Sequence, residues 1–296
     1  MPPDLTRRGA IAGALVAVSA GPALASVVDR FAAVEARLGG RLGVAALDTS
    51  NGARLAHRAA ERFAMCSTFK AMAVAALLAR VDRGLDRLDR VVRYGEADLL
   101  DYAPETRAHV KAGGMTVLDL CAAAVTLSDN TAANLILTAI GGPAGWTHFV
   151  RTLGDHVSRL DRTEPALNTA LPHDPRDTTT PLAMLSDLRM ALLGKVLSDA
   201  SRNLLIGWTN GCQTGLQRLR AGLPRSWPAG DKTGTGERGA SGDIAVVYAP
   251  EGPIVIACYV AGAVHATPAE RDGAFADVAR IVAETFRPRE EGAPRG

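Results

Sequence analysis

The chain has 296 residues, with 33 Lys and Arg against 31 Asp and Glu and a formal net charge of +2. A balance so close to neutral excludes the clustered positive excess that marks a nucleic-acid or acidic-membrane partner.

The first segment reads as an export address. Arg7 and Arg8 precede an apolar stretch from Ala10 to Ala20, and Pro22-Ala23-Leu24-Ala25 ends in a small-residue A-x-A site, so residues 1–25 form a signal cleaved before Ser26. The apolar stretch is too short for a stable membrane anchor, which predicts a periplasmic or secreted protein. L-T-R-R-G-A resembles the twin-arginine route, with general secretion as the alternative. Cleavage leaves roughly 270 residues, enough for one large domain or two interlocked lobes. The four cysteines, Cys66, Cys121, Cys212 and Cys258, permit two bridges. A fold of this size does not need them, and folding before export favours free thiols.

Val27, Phe31, Val34 and Leu38 recur at helical spacing and stop at Gly39-Gly40. Leu42 to Leu47 and Ala53 to His57 then form a hairpin through Thr49-Ser50-Asn51-Gly52. From Ser67 the pattern is helical for about 140 residues. Within it, helices open at Thr116, with Asp119 three residues on, at Thr131 and at Thr180-Pro181. Past Trp227 strands return at Gly242 to Ala249 and Ile254 to Val260, and Thr267-Pro268 begins a last helix to about Phe286. This order predicts an α/β lobe from 26–60 and 212–290 and an all-α lobe from 61–211. The former is an antiparallel sheet flanked by N- and C-terminal helices, the latter an insertion carrying an omega-like loop at 162–177. Residues 291–296 read as a disordered tail.

Lysine occurs only at 70, 111, 195 and 232, in a chain whose other basic residues are arginine. A buried lysine can surrender its proton and arginine cannot, so M-C-S-T-F-K at 65–70 invites a chemical reading. Ser67 starts a helix, where free N–H groups favour developing negative charge, and Lys70 lies one turn on, within reach of the serine oxygen. Ser128-Asp129-Asn130 falls in a link between helices, and Lys232-Thr233-Gly234 on a strand after Trp227. S-x-x-K, S-D-N and K-T-G in this order belong to class A β-lactamases and penicillin-binding proteins.

With these motifs the mature chain resembles the class A serine β-lactamases throughout. The likeness is carried also by L-S-D-N-T-A-A-N-L-I-L-T-A-I-G-G-P at 127–143, R-T-E-P-A-L-N at 162–168 and R-D-T-T at 176–179. The resemblance implies a β-lactamase/transpeptidase-like fold and hydrolysis of the β-lactam ring of penicillins and cephalosporins through a Ser67 acyl-enzyme. Such an ester persists unless a carboxylate activates a water against it, the role implied for Glu164, with Asn168 holding the water. Either Lys70 or Glu164 takes the Ser67 proton, and Ser128 relays one to the leaving nitrogen. The resemblance implies that the backbone N–H groups of Ser67 and Thr235 form the oxyanion hole. Lys232, Thr233, Gly234 and Thr235 receive the substrate carboxylate, Asn130 the acyl-side amide, and Tyr102 walls the entrance. The resemblance also implies that Arg162 pairs with Asp177 across the loop and that the Glu164-Pro165 bond is cis.

This chain departs from some branches of the family. Ser241 stands where many members have an arginine, and Arg218 is the implied replacement. Cys66 and Cys121 face Gly236 and Val74 where relatives have cysteine partners, so both family disulfides are expected to be absent. No cofactor is implied, and the six histidines form no metal-binding pattern. The partners implied are small β-lactams, acting on a monomer. The alternatives are a D-alanyl-D-alanine carboxypeptidase or transpeptidase, and a penicillin sensor that stays acylated.

Overall fold

The computed structural model describes residues 22–287, with side chains from Val27 onward. The tail at 291–296, and the signal at 1–25 except its last four residues, lie outside the described residues. Helix α1 spans Pro22–Leu38, starting before Val27 because Pro22 suits a first helical turn and Ala-Leu-Ala continues it. Strands β1 (Arg41–Asp48) and β2 (Arg54–His57) form the expected hairpin.

The chain then crosses to the helices through β3 (Phe63–Ala64), a 3₁₀ turn at Cys66–Thr68 and α2 (Phe69–Asp82). There follow β4 (Val91–Arg93), α3 (Pro104–His109), β5 (Gly114–Thr116), α4 (Val117–Thr126), α5 (Asn130–Ala139) and α6 (Gly142–Thr152). After the 161–177 loop come β6 (Thr178–Thr179), α7 (Pro181–Leu193), α8 (Asp199–Asn210) and the short α9 (Leu219–Gly222). Strands β7 (Ala229–Thr235), β8 (Ser241–Ala249) and β9 (Gly252–Ala261) and helix α10 (Pro268–Phe286) complete the fold.

The five-stranded antiparallel sheet runs β2-β1-β9-β8-β7. Alternation along its strands separates two cores. Val44, Ala245 and Ile256 pack toward α1 and α10, with Phe31 and Phe275. Ala45, Ile244, Val246 and Val255 face the helical region, where α2 is buried on nearly every side. A helix apolar all round belongs inside a protein.

Two features depart from an all-helical insertion. Strand β3 pairs with β6, and β4 with β5, as ladders of two and three residue pairs. Segments so short carry no periodicity for a sequence to show. The cap residues act as their types demand: Thr116, Asp129, Thr180 and Thr267 each accept a backbone N–H of the helix that follows.

Candidate active site

The site is assembled where the start of α2, the α4–α5 link, the loop and strand β7 converge. Ser67 sits in the 3₁₀ turn that leads into α2, following Cys66 in a left-handed conformation (φ +45°). Ser128 is also left-handed (φ +60°). Two non-glycine residues held in this sparse region show the surroundings imposing geometry on the site. Gly234 of β7 lies so close that a Cβ there would sit 3.0 Å from the Ser67 nitrogen and 2.7 Å from the Met65 carbonyl oxygen. Only glycine lets β7 approach the serine backbone this closely.

Lys70 and Lys232 are fully buried. The Lys70 ammonium donates to the Ser128 carbonyl (2.8 Å), the Ser128 hydroxyl (3.3 Å) and Asn130 Oδ1 (2.6 Å), and lies 3.1 Å from Glu164 Oε1. Ser67 Oγ donates to that same oxygen at 2.9 Å. Lysine and serine thus meet on a shared carboxylate oxygen, and among the described residues the serine's hydrogen bond goes to Glu164. Burial pushes the Lys70 pKa down, and the adjacent Glu164 opposes that shift.

Lys232 donates to Ser128 Oγ at 3.0 Å and to the Thr233 carbonyl at 2.9 Å. Burial, assisted by the Lys70 charge, pulls its pKa down to about 8. Two ammonium groups therefore occupy the lone pairs of the Ser128 hydroxyl, so its own proton is directed elsewhere.

Glu164 is only 3% exposed. Its peptide to Pro165 is cis, the 3₁₀ turn Ala166–Asn168 follows, and Asn168 Nδ2 donates to Oε2 at 2.5 Å. That bond fixes the amide's orientation and leaves Asn168 Oδ1 buried with no partner among the described residues. An orphaned acceptor beside a carboxylate is a seat for a water, which can donate one proton to each. Arg162 Nε reaches Asp177 Oδ2 at 2.6 Å, and Asp177 Oδ1 accepts the backbone N–H groups of 161 and 162.

A cleft of about 320 Å³ opens over the serine, lined by Ser67, Tyr102, Ser128, Asn130, Thr233 and Thr235 among others. Tyr102 is half exposed at its mouth, its hydroxyl on the Leu127 carbonyl at 3.1 Å. Asn130 gives its oxygen to Lys70, so its Nδ2 remains for a ligand. Arg218 also borders the cleft, but most of its guanidinium is engaged. It donates to Asp272, to the Gly234 and Gly242 carbonyls and, at 2.8 Å, to Thr235 Oγ1. It therefore acts from behind Thr235. Ser241 is buried, its hydroxyl without a partner among the described residues.

Two residues outside the sequence reading belong here. Asn134 clamps both backbone groups of residue 164, accepting Glu164 N–H at 3.0 Å and donating to its carbonyl at 2.9 Å. It lies one helical turn past Asn130, a spacing that signals a shared face. Thr214 Oγ1 is 2.5 Å from Thr233 Oγ1. All four cysteines are free and buried. No group of three His, Cys, Asp or Glu suited to a metal ion occurs among the described residues, and no helix there is long and apolar enough to cross a membrane.

Residues 26–286 match the β-lactamase enzyme family. The chain is 47% identical over 262 residues to β-lactamase CTX-M-8 of Citrobacter amalonaticus, covering 88% of this chain and 89% of that protein. It is 51% identical over 228 residues to β-lactamase FAR-1 of Nocardia farcinica, covering 77% and 72% respectively. The solved structure of an ancestral class A β-lactamase superposes with a TM-score of 0.86 at 56% identity, over 88% of this chain and 100% of that one.

Proposed function

The chain belongs to the β-lactamase enzyme family, class A, and hydrolyses the β-lactam ring; from that premise we propose which residues carry the reaction. The observation that supports the assignment most directly is the convergence of Ser67 Oγ and Lys70 Nζ on Glu164 Oε1, at 2.9 and 3.1 Å.

In acylation Ser67 attacks the lactam carbonyl as its proton passes along the existing hydrogen bond to Glu164. Lys70 links Glu164 to Ser128: it takes a proton from the former as it gives one to the latter, and Ser128 protonates the leaving nitrogen. One proton is thereby moved from serine to nitrogen, and each relay group ends as it began. Developing charge on the carbonyl oxygen is met by the backbone N–H groups of Ser67 and Thr235. In deacylation the Glu164 carboxylate takes a proton from the water seated against Asn168, the resulting hydroxide adds to the ester carbonyl, and as the C–O bond to Ser67 breaks Glu164 returns the proton to the Ser67 oxygen.

Lys232, Thr233 and Thr235 receive the substrate carboxylate, Gly234 allows the strand's close approach, and Arg218 orients the Thr235 hydroxyl. Asn130 Nδ2 holds the acyl-side amide, and Tyr102 walls the entrance. Arg162, Asp177 and Pro165 shape the loop. The enzyme's substrates are penicillins and cephalosporins. It works as a monomer in the periplasm or outside the cell, exported by the signal at 1–25 through the twin-arginine or the general secretion route.

Nitrocefin in large excess tests the reading. Sustained colour change that is abolished in Ser67→Ala is expected. A single stoichiometric burst would instead identify a sensor or a cell-wall enzyme.

A further inference from the structure

A cavity larger than the catalytic cleft lies outside it. It lies beneath the 170–176 part of the loop, measures about 910 Å³, and is bounded by β3, the end of β9 and the turn at 262–264. Its size falls within the range of about 300–1,000 Å³ typical of small-molecule sites. Phe63, Leu167, Leu171, Pro172 and Val264 supply apolar wall. Leu171 and Val264 are large apolar side chains left 40% and 57% exposed, one on each side.

The charge on the lining is one-sided. Arg41, Arg62, Arg162, Arg176 and Arg238 border the cavity, against Glu61 and Asp174. Four of these arginines are paired: Arg41 with Glu61, Arg162 with Asp177, Arg176 with Asp174 and Arg238 with Glu237. Arg62 has no carboxylate partner among the described residues. Both of its hydrogen bonds there leave from Nη1, to the Val157 carbonyl and Thr178 Oγ1. Its Nε and Nη2 edge, the fork that grips a carboxylate with two parallel bonds, is left for a ligand.

The walls also reach the deacylation machinery. Leu167, in the cavity wall and 1% exposed, precedes Asn168 in the same 3₁₀ turn. On the other side the turn that carries Arg238 donates Glu237 N–H to the Asn168 carbonyl at 2.8 Å. Both supports of Asn168, the residue bonded to the Glu164 carboxylate, thus border the cavity or adjoin its wall.

We propose that this cavity is a second ligand site, for a small amphipathic carboxylate whose apolar chain lies against Phe63, Leu171 and Val264 and whose head group meets Arg62, and that its occupancy slows deacylation. The binding claim is independent of the catalytic assignment above; only the kinetic claim rests on it.

Decanoate is the probe. Calorimetry on the whole enzyme should show one molecule bound, with affinity lowered about tenfold or more in Val264→Glu and Leu171→Glu, where a carboxylate enters the apolar wall, and little changed in Val264→Ala. Thermal melts establish that the variants fold, and their nitrocefin turnover without decanoate should match the parent. With decanoate, kcat of the parent should fall while the Val264→Glu enzyme resists. Absence of binding, or equal affinity in parent and glutamate variants, overturns the site. Inhibition competitive with nitrocefin places decanoate in the catalytic cleft and overturns it too, while binding at the cavity with kcat unchanged overturns the coupling.

Discussion

The two halves of the 161–177 loop are built on opposite terms. In the first half residue 164 has both backbone groups held by Asn134, its carboxylate held by Asn168, and its entry fixed by Arg162 on Asp177. In the second half Ala170 and His173 adopt left-handed backbone, at φ +45° and +61°, above the 910 Å³ cavity. The half that carries Glu164 is tied to other elements by side chains bonding to its main chain, and the other half stands over open space. A polar loop can be rigid where its hydrogen bonds are supplied from outside it, and its sequence alone does not say where that is.

The largest disturbance of the clamped half should come from Lys70, the charge against which Glu164 is seated. Lys70→Arg cannot pass a proton, so acylation measured by stopped flow should fall by about 10²–10⁴-fold. Near-normal acylation would remove Lys70 from the relay.

Next in size is Arg162→Ala, which leaves the Asp177 carboxylate buried without its guanidinium. Losing one member of such a pair costs about 3 kcal/mol of stability, read as a lower urea midpoint, and deacylation should slow more than acylation. Asn134→Ala removes two hydrogen bonds from the Glu164 backbone, together about 2 kcal/mol. Its effect should appear in both acylation and deacylation, since Glu164 takes the proton in each. A loss of stability with both rates at the parent's level would make Asn134 a general structural residue.

Titration bears on the wall opposite the loop. Burial holds Lys232 at about 8, below an ordinary lysine, so it is charged below that pH and neutral above it. An anionic substrate needs the charged form, so kcat/KM should fall as the pH rises through about 8, and a profile flat into the alkaline range would contradict its role. The smallest effect belongs to the unclamped half. Ala170→Gly relieves a left-handed alanine at the entropic cost of a glycine, a net gain of roughly 0.5 kcal/mol, with kcat unchanged.

What could be read in the sequence follows the same division. Ser67 with Lys70, Ser128 with Asn130, Lys232 with Thr233, and Glu164 with Asn168 are each near in the chain, so each pair shows as a motif. The sheet, too, was legible, because its long strands alternate or run apolar. Contacts between distant segments left no such trace. Asn134 reaches Glu164 across thirty residues, and Arg218 turns to Asp272 and Thr235, both remote from it in sequence. The cavity is drawn from segments as far apart as Gly40 and Val264, and no local pattern encodes an empty volume.

Intact-mass spectrometry of Glu164→Gln after mixing with a penicillin tests the central claim most directly. The variant should acylate more slowly than the parent, because glutamine cannot take the Ser67 proton, but the one penicillin-mass adduct it forms on Ser67 should persist far longer than the parent's. A variant that turns over at the parent rate with no adduct would mean that a different group primes the water.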